Sequence, residues 1–422
     1  MKKNFVVAGL AVLLWVCFFP VHEAQAVSQW ARKYNMSCQS CHTAFPRLNY
    51  FGEKFAKNGY QFPDTADGDE QKEKLSDTLF IDDLKTLFGV RISVTPASVT
   101  TNGLSRGAPN NSTAVNFGNT DWVQFFSAGS IFKNTSIFIE TQVSNTSIKN
   151  NWFTLGYHNL FDQSLLNVRA GKISSMNWHA MTGRLRMIPN INLEGWTNFK
   201  TTEGTVSTTA APFVLEDQLG VGEPQPGLEM YGYKGPFLYS VGVVNGNALT
   251  DSNQFKNLFG TLRLEIPDTD SNFAGSSISG WGYWGTDTAN TSTTQTKNRF
   301  YRLSSAANLR WKKWDIIGGY IYGVDKDWVL STAGNQENKT HALGMQVGYL
   351  IDPKWFAAAQ CDYVTDTFKD TATTSNYFHK VSPSIWYMPR ENMRIGLVTR
   401  AELRSRSPGR QHEFILHVRS MF

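Results

Sequence analysis

The sequence predicts an all-β transmembrane barrel of about sixteen antiparallel strands, with a small α-helical segment before it. Three observations support this fold class. Segments of about ten residues alternate apolar and polar side chains, and short turns alternate with long polar loops along the chain. The last segment also alternates apolar and polar residues and ends on an aromatic residue. The composition agrees, because 13% of residues are aromatic and 34 are glycine.

The alternation begins near Phe88 and has the period of two that a strand requires. Leu262 and Leu264 share one face of a predicted strand, while Arg263 and Glu265 share the other. A soluble sandwich would turn its polar face outward to water, whereas a membrane barrel turns it inward to the lumen.

The spacing of the turns favours the membrane barrel over the sandwich. Tight connections would lie at one end of such a barrel and long loops at the other, as in outer-membrane proteins. Tight connections are predicted at Lys133-Asn134, Lys234-Gly235, Trp311-Lys312, Asp352-Pro353 and Arg390-Glu391, and long loops at 100–119, 145–150, 174–225, 287–297, 325–338 and 366–375.

The last strand carries Phe414, Leu416, Val418, Ser420 and Phe422 on one face. This ending resembles the assembly signal of outer-membrane barrels. An even number of strands returns both chain ends to the periplasmic side. We therefore expect the mature protein in the outer membrane of a Gram-negative bacterium.

The N-terminus reads as an export signal. Lys2 and Lys3 precede an apolar run over 5–20, and Ala24-Gln25-Ala26 supplies a cleavage site. Cys17 lies inside that run and is interpreted as a residue of the discarded signal. The predicted organisation is therefore a signal peptide over 1–26, a small segment over 27–83 and a barrel over 84–422.

Two function classes are excluded at this stage. After the signal, the chain has no apolar run of about 18 residues, so it is not a helical membrane protein. The net charge is only +5, and no basic cluster is interleaved with aromatic residues, which argues against a nucleic-acid partner.

The clearest chemical signal is Cys38-Gln39-Ser40-Cys41-His42. A C-x-x-C-H sequence supplies two thiols for thioether bonds to haem vinyl groups and an imidazole next to them for the iron. Zinc would need a second Cys or His pair nearby, and a thioredoxin-type pair would need a βαβ context. The motif therefore predicts one covalent haem c, with His42 as its proximal ligand.

An amphipathic helix is predicted after the motif. Phe45, Leu48, Phe51, Gly52 and Phe55 recur at helical spacing, so their face could lie against the porphyrin or simply pack on the barrel. Residues 27–83 are too few for an independent core, which predicts a plug or cap of the lumen completed by the haem and the barrel wall.

Residues 30–62 show a more specific resemblance. The run Trp30-Ala31-Arg32-Lys33-Tyr34-Asn35-Met36-Ser37, then the motif, Phe45 to Asn49, Phe51-Gly52 and Asn58-Gly59-Tyr60, resembles the fused cytochrome–porins of the outer membrane. That family includes Fe(II)-oxidising cytochromes. The resemblance implies a single haem held by Cys38, Cys41 and His42, lodged in or under a barrel, that moves electrons across the outer membrane.

The second axial ligand is missing from its usual place, because no Met or His lies between His42 and the first strand. Met36 is near, but it precedes the attachment site. Loop 174–225 is predicted to be the third on the long-loop side, where porins often constrict the lumen. It carries Met176, His179 and Met181, which either supply the ligand or are incidental residues of a constriction loop.

Other side chains have structural interpretations. Inward-facing arginines could select anions, hold haem propionates, or be solvated barrel lining. These residues are Arg302, Arg310, Arg394, Arg400 and Arg404. Cys361 is expected to face lipid without a redox role.

Three functions fit these patterns. The leading one is an electron conduit between an extracellular partner, such as Fe(II), and a periplasmic cytochrome c or similar carrier, which could act as an Fe(II):cytochrome c oxidoreductase or in the opposite direction. The second is a porin or solute channel whose haem is structural or regulatory. The third is an enzyme of the peroxidase or nitrite-reductase type. Lipid contact is expected in each case, and an oligomer is compatible with all three.

Overall fold

The computed structural model describes residues 29–44, 47–62, 73–74, 76–77, 80–81, 84–102, 112–144, 147–162, 164–181, 224–245, 254–267, 272–290, 295–326, 337–366, 377–404 and 411–422. The expected signal peptide, Cys17 and most of loop 174–225 lie outside these residues. Among the described helices, none is long and apolar enough to cross a membrane.

Sixteen consecutive strands form one closed antiparallel barrel, as predicted. The strands are β1 Phe88–Asn102, β2 Ser112–Phe132, β3 Thr135–Val143, β4 Ile148–Tyr157, β5 Asn167–Ile173, β6 Gln225–Lys234, β7 Phe237–Val244, β8 Asn257–Glu265, β9 Ser277–Asn290, β10 Gln295–Trp311, β11 Trp314–Asp325, β12 Asn338–Asp352, β13 Trp355–Asp366, β14 Tyr377–Arg390, β15 Met393–Arg404 and β16 His412–Met421.

The barrel closes where β16 pairs with β1. The terminal residue takes part, because Phe422 N donates to Val90 O at 2.7 Å and Val90 N donates to Phe422 O at 3.0 Å. Closure leaves no strand edge unpaired, which is the condition for a sheet to stand in hydrocarbon.

The two faces of the strands follow the predicted alternation. On β8, Leu262 is 71% exposed while Arg263 is 3% exposed. Apolar residues therefore cover the exterior and polar residues fill the lumen, which is the inverse of a soluble protein and fits a lipid surround. Cys361 lies on the outer face of β13, as expected, with its Sγ 3.4 Å from His379 Nε2.

The turn prediction holds to within one residue at all five tight connections. The loop predicted at 100–119 is shorter in the structure, because β2 begins at Ser112 and pairs with β1 as far as Asn102. The loops at 145–150 and 287–297 are likewise shortened by β4, β9 and β10. A hairpin that extends beyond the membrane keeps its backbone hydrogen bonds but has no face that must be apolar. Its residues therefore lack the alternation of apolar and polar side chains that predicts a strand.

The N-terminal segment folds into short elements. They are helix α1 Gln29–Tyr34, a 3-10 turn Cys38–Ser40, helix α2 Tyr50–Lys57 and helix α3 Leu84–Leu87, with small strand pairs at His42–Ala44 and Arg47–Leu48 and at Glu73–Lys74 and Phe80–Ile81. Helix α2 starts after Leu48, later than predicted, because the Asn49 side chain accepts a hydrogen bond from Gly52 N and caps the helix there.

Aromatic residues pack this segment against the barrel wall. Trp30 stacks on Tyr60 with ring centroids 4.9 Å apart, and Tyr60 stacks on Phe138 of β3 at 5.3 Å. Phe55 of α2 is 3% exposed in the same cluster. Residues 29–44 and 47–62 therefore form a plug, and its contacts lie at the short-turn end of the strands.

Candidate cofactor site in the plug

The C-x-x-C-H turn is fastened to the barrel rim by one carboxylate. Glu391, in the turn between β14 and β15, accepts at Oε2 from Ser37 Oγ at 2.7 Å and from Cys38 N at 2.8 Å. Because this turn is one of the tight connections, the motif lies at the short-turn mouth of the barrel.

Asn49 holds the turn from the other side. Its Nδ2 donates to Ser40 O at 2.9 Å and to Gln39 O at 3.1 Å, and its backbone N donates to Cys41 O at 2.9 Å. The same side chain caps α2 through Oδ1. One residue thus fixes the motif to the helix that follows it.

Gly52 permits this close approach. A Cβ built at Gly52 would lie 2.2 Å from Cys41 O and 3.0 Å from Leu48 Cδ2. An alanine would favour the helix by about 1 kcal/mol through propensity alone. The backbone oxygen of Cys41 must move to admit it, so sterics and propensity act in opposite directions.

We therefore predict that Gly52→Ala weakens the contacts that hold the motif by about 1–3 kcal/mol, as overpacking does, and lowers the content of the haem that the sequence predicts on Cys38 and Cys41. Haem staining after denaturing electrophoresis, normalised to protein, measures this loss. Lys54→Ala is the matched control, since it changes the same helix away from the motif. Unchanged haem content in Gly52→Ala would show that the contact is not limiting.

A cavity of about 520 Å³ opens beside the motif, within the range of small-molecule and cofactor sites. The plug and the rim of β12 to β15 share its walls. The plug contributes Cys38, Gln39, His42, Thr43, Ala44 and Asn49, and the barrel contributes Leu350, Pro353, Lys354, Met388, Pro389, Arg390 and Glu391.

The donor set fits a thioether-bound haem better than a metal thiolate. Burial and then the Glu391 carboxylate raise the pKa of Cys38 to about 11, and burial and then Cys38 raise the pKa of Cys41 to about 11. Both thiols are therefore protonated near neutral pH. Within the described part of the chain, no three His, Cys, Asp or Glu side chains gather as a metal site.

A buried charge cluster locks the plug to the wall. Glu53 of α2 accepts from Arg263 of β8 at one carboxylate oxygen and from Arg310 of β10 at the other. Burial would raise the pKa of Glu53, but Arg263, Arg310 and other cations lower it to about 2. The ionised Glu53 carboxylate therefore stabilises the folded state fully at pH values above its ordinary pKa of 4.5. This contribution is lost as the pH falls toward 2.

Two further ion pairs extend this interface. Arg47 is fully buried and donates to Asp315 of β11 from Nε at 2.7 Å and from Nη2 at 2.6 Å. Lys57, at the end of α2, pairs with Glu265 of β8. These charges are removed from water but compensated, so breaking one partner would leave the other uncompensated.

The beginning of the third loop also lies within the barrel. Met176 is 1% exposed, and Met181 and His179 are fully buried. The segment is held by Ala180 N, which donates to Ser279 Oγ of β9 at 2.9 Å, and by Trp281 Nε1, which donates to Ser175 O at 2.9 Å. This is the third loop on the long-loop side, as the strand count predicted.

These three residues do not line the cavity beside the motif. Met181 N donates to His179 Nδ1 at 3.4 Å, so the ring proton lies on Nε2 in this arrangement. Burial and then Arg263 lower the pKa of His179 to about 3, which keeps the ring neutral. Met36 is half-buried before the motif and is likewise outside the cavity lining.

The predicted inward arginines are engaged with carboxylates or aromatic rings where their side chains are described. Arg302 pairs with Asp325 at 2.9 Å, Arg400 pairs with Glu413 at 3.3 Å, and Arg394 lies over Trp386 at 4.0 Å from its centroid. Arg310 belongs to the Glu53 cluster. The side chain of Arg404 is not among those that the structure describes. None of these lines the cavity, whose cationic residues are Lys354 and Arg390.

Comparison with solved structures identifies the fold. An anion-selective porin from Comamonas acidovorans matches with a TM-score of 0.53 and 9% identity over 79% of this chain and 99% of the porin. A loop-deletion mutant of OmpT from Vibrio cholerae matches at 0.52 and 9% over 79% and 98%, and Salmonella typhi OmpF in complex with daunomycin at 0.52 and 10% over 79% and 97%.

The fold and the faces of its strands therefore define a closed sixteen-stranded barrel of the outer-membrane porin type, with an apolar exterior suited to lipid. Within that class, this chain has a plug at the short-turn mouth, and the plug carries a C-x-x-C-H turn beside a cavity. No protein-family model and no curated protein matches the sequence.

Proposed function

We propose that the protein is a cytochrome–porin that carries electrons across the outer membrane between an extracellular donor, such as Fe(II), and a periplasmic cytochrome c. The observation that carries this proposal is the C-x-x-C-H turn at the short-turn mouth, where Cys38 and His42 line a 520 Å³ cavity. The predicted export signal and the closed barrel would bring this motif to one membrane.

Cys38 and Cys41 would hold the haem through thioethers, and His42 would bind its iron. When bound, the haem supplies a one-electron carrier. The chain supplies its position, because Glu391 and Asn49 fix the turn from two sides.

Lys354 and Arg390 bring positive charge to the barrel side of the cavity. Charge-assisted hydrogen bonds from such groups are suited to the two propionates of a haem. The strongly apolar part of the lining, Leu350 and Ala44, would then lie against the porphyrin ring.

The position of the motif bears on which partners can reach it. A periplasmic carrier can dock on the short-turn rim directly. The outside is separated from this rim by most of a hydrocarbon layer about 30 Å thick, so an extracellular donor must enter the lumen. A dissolved ion can do so, whereas a mineral particle cannot. The same residues serve the reverse direction, and the reduction potential decides between the two.

A diffusion channel with a structural haem is the second candidate, favoured by the porin-type barrel. Against it stands the plug, which is locked by buried ion pairs at the short-turn mouth. A conduit should pass little solute in planar bilayers, whereas a channel should conduct ions with the plug in place.

The decisive experiment uses the full chain in liposomes that enclose oxidised cytochrome c, with Fe(II) added outside. We expect reduction of the plug haem in stopped flow at several pH values, followed by reduction of the enclosed cytochrome c. Liposomes without protein are the control. A haem that Fe(II) never reduces would exclude the iron-oxidising function, and open ion conductance would favour the channel.

A further inference from the structure

We infer that Met388, on barrel strand β14, is the second axial ligand of the haem that the plug holds, so that the iron site is completed across the plug–barrel interface. This inference rests on the proposed function, because it needs a haem on Cys38 and Cys41. It assigns the ligand to a residue outside the four that the sequence pattern indicates.

The first argument is position. Met388 and His42 both line the 520 Å³ cavity, one from the barrel and the other from the plug. Met388 is 9% exposed, and its backbone N donates to Lys354 O at 2.7 Å, which fixes the strand to the neighbouring turn. The thioether is thus held at the cavity by a rigid sheet.

The second argument is the chemistry of the other lining groups. Asn49 is committed to the motif and to the cap of α2, and Glu391 Oε2 already accepts from Ser37 and Cys38. Lys354 in its charged form has donors and no lone pair. The Arg390 guanidinium likewise has donors and no acceptor.

Methionine sulfur is a soft ligand that haem iron accepts opposite histidine in cytochromes c. Its flexible side chain also adapts to a site that forms when the haem arrives. His/Met ligation raises the reduction potential, which suits a carrier that takes electrons from a donor such as Fe(II).

The consequence is structural as well as electronic. The ligand from β14 and the ligand from the plug would bind one iron, so haem insertion would fasten the plug to the barrel in addition to the ion pairs. A plug that leaves the mouth would lose a ligand and change its spectrum.

The test compares Met388→Leu and Met388→His with wild type as full-length, haem-loaded protein in detergent. The ferric wild type should show the near-infrared sulfur-to-iron charge-transfer band of His/Met haem. Met388→Leu should lose it completely while keeping the covalent haem, and Met388→His should give a bis-histidine low-spin EPR spectrum and a lower midpoint potential. A Met–Leu exchange conserves side-chain volume, so folding is retained.

Met36→Leu, Met176→Leu and Met181→Leu are the matched controls and should keep the band, and His179→Ala should leave the spectrum unchanged. Loss of the band in one of the three Leu variants, a band that survives Met388→Leu, or a bis-histidine wild type would overturn the inference. Absence of covalent haem in wild type would instead refute the proposed function, so the two failures are distinguishable by haem staining.

Discussion

Glu53→Arg is expected to release the plug and open the barrel to ions. The wild-type carboxylate sits between Arg263 and Arg310; Glu53 and Arg263 are buried, and the Arg310 side chain is 11% exposed. Removing one partner of such a buried cluster costs about 3–5 kcal/mol, and an arginine adds repulsion. The equilibrium constant for docking of the plug should fall by roughly two to four orders of magnitude relative to wild type. Single-channel conductance in planar bilayers measures the opening.

The control for this prediction reverses an exposed charge. Glu337→Arg alters a surface group beside Lys326 and Lys339 and should leave the conductance unchanged. Glu53→Arg combined with Arg310→Glu restores one pair in the opposite sense and should recover part of the closed state. Equal conductance in Glu53→Arg and wild type would show that the plug is held by other contacts.

Cys38→Ala combined with Cys41→Ala is expected to abolish covalent haem while the barrel still assembles. The anchor at Cys38 is its backbone N–H to Glu391, which alanine keeps. The barrel ladder closes through β16 and β1, far along the chain from the thiols. Haem staining after denaturation should therefore drop to background, and Fe(II) should no longer produce a reduced haem spectrum.

Cys361→Ala provides the comparison, because its sulfur lies on the outer face of β13 and should not affect haem content. Heat-modifiable migration on gels reports the folded barrel in each variant. Covalent haem that persists in the double variant would refute the assigned attachment site, and a barrel that fails to assemble would show that the motif serves folding.

Much of the barrel could be predicted because its signals are local. The outward position of Leu262 and the inward position of Arg263 follow from a period of two that any stretch of strand displays. Turns such as that after Trp311 mark strand ends directly. Where both faces of a hairpin meet water, as at Ser112 on β2, apolar and polar residues no longer alternate, and the sequence predicts a loop instead of a strand.

The plug interface could not be predicted in the same way. Glu53 and Arg263 are 210 residues apart in sequence, and nothing local to either residue indicates the pairing. The cavity has the same origin, because Met388 belongs to β14 while His42 belongs to the plug. The sequence holds only a weak indication that Met388 lies at this site. Met388 shares the inward face of β14 with Trp386 and stands next to a tight turn.

The sequence by itself determined the sixteen strands, their lipid and lumen faces, and the predicted attachment of haem at Cys38, Cys41 and His42. These follow from short-range patterns of side chains and from the covalent chemistry of the motif. The tertiary structure decided that the motif lies at the short-turn mouth, that Glu53 anchors the plug, and that Met388 stands beside the motif. Those facts depend on which distant residues the closed barrel brings together, and no local pattern of side chains contains that information.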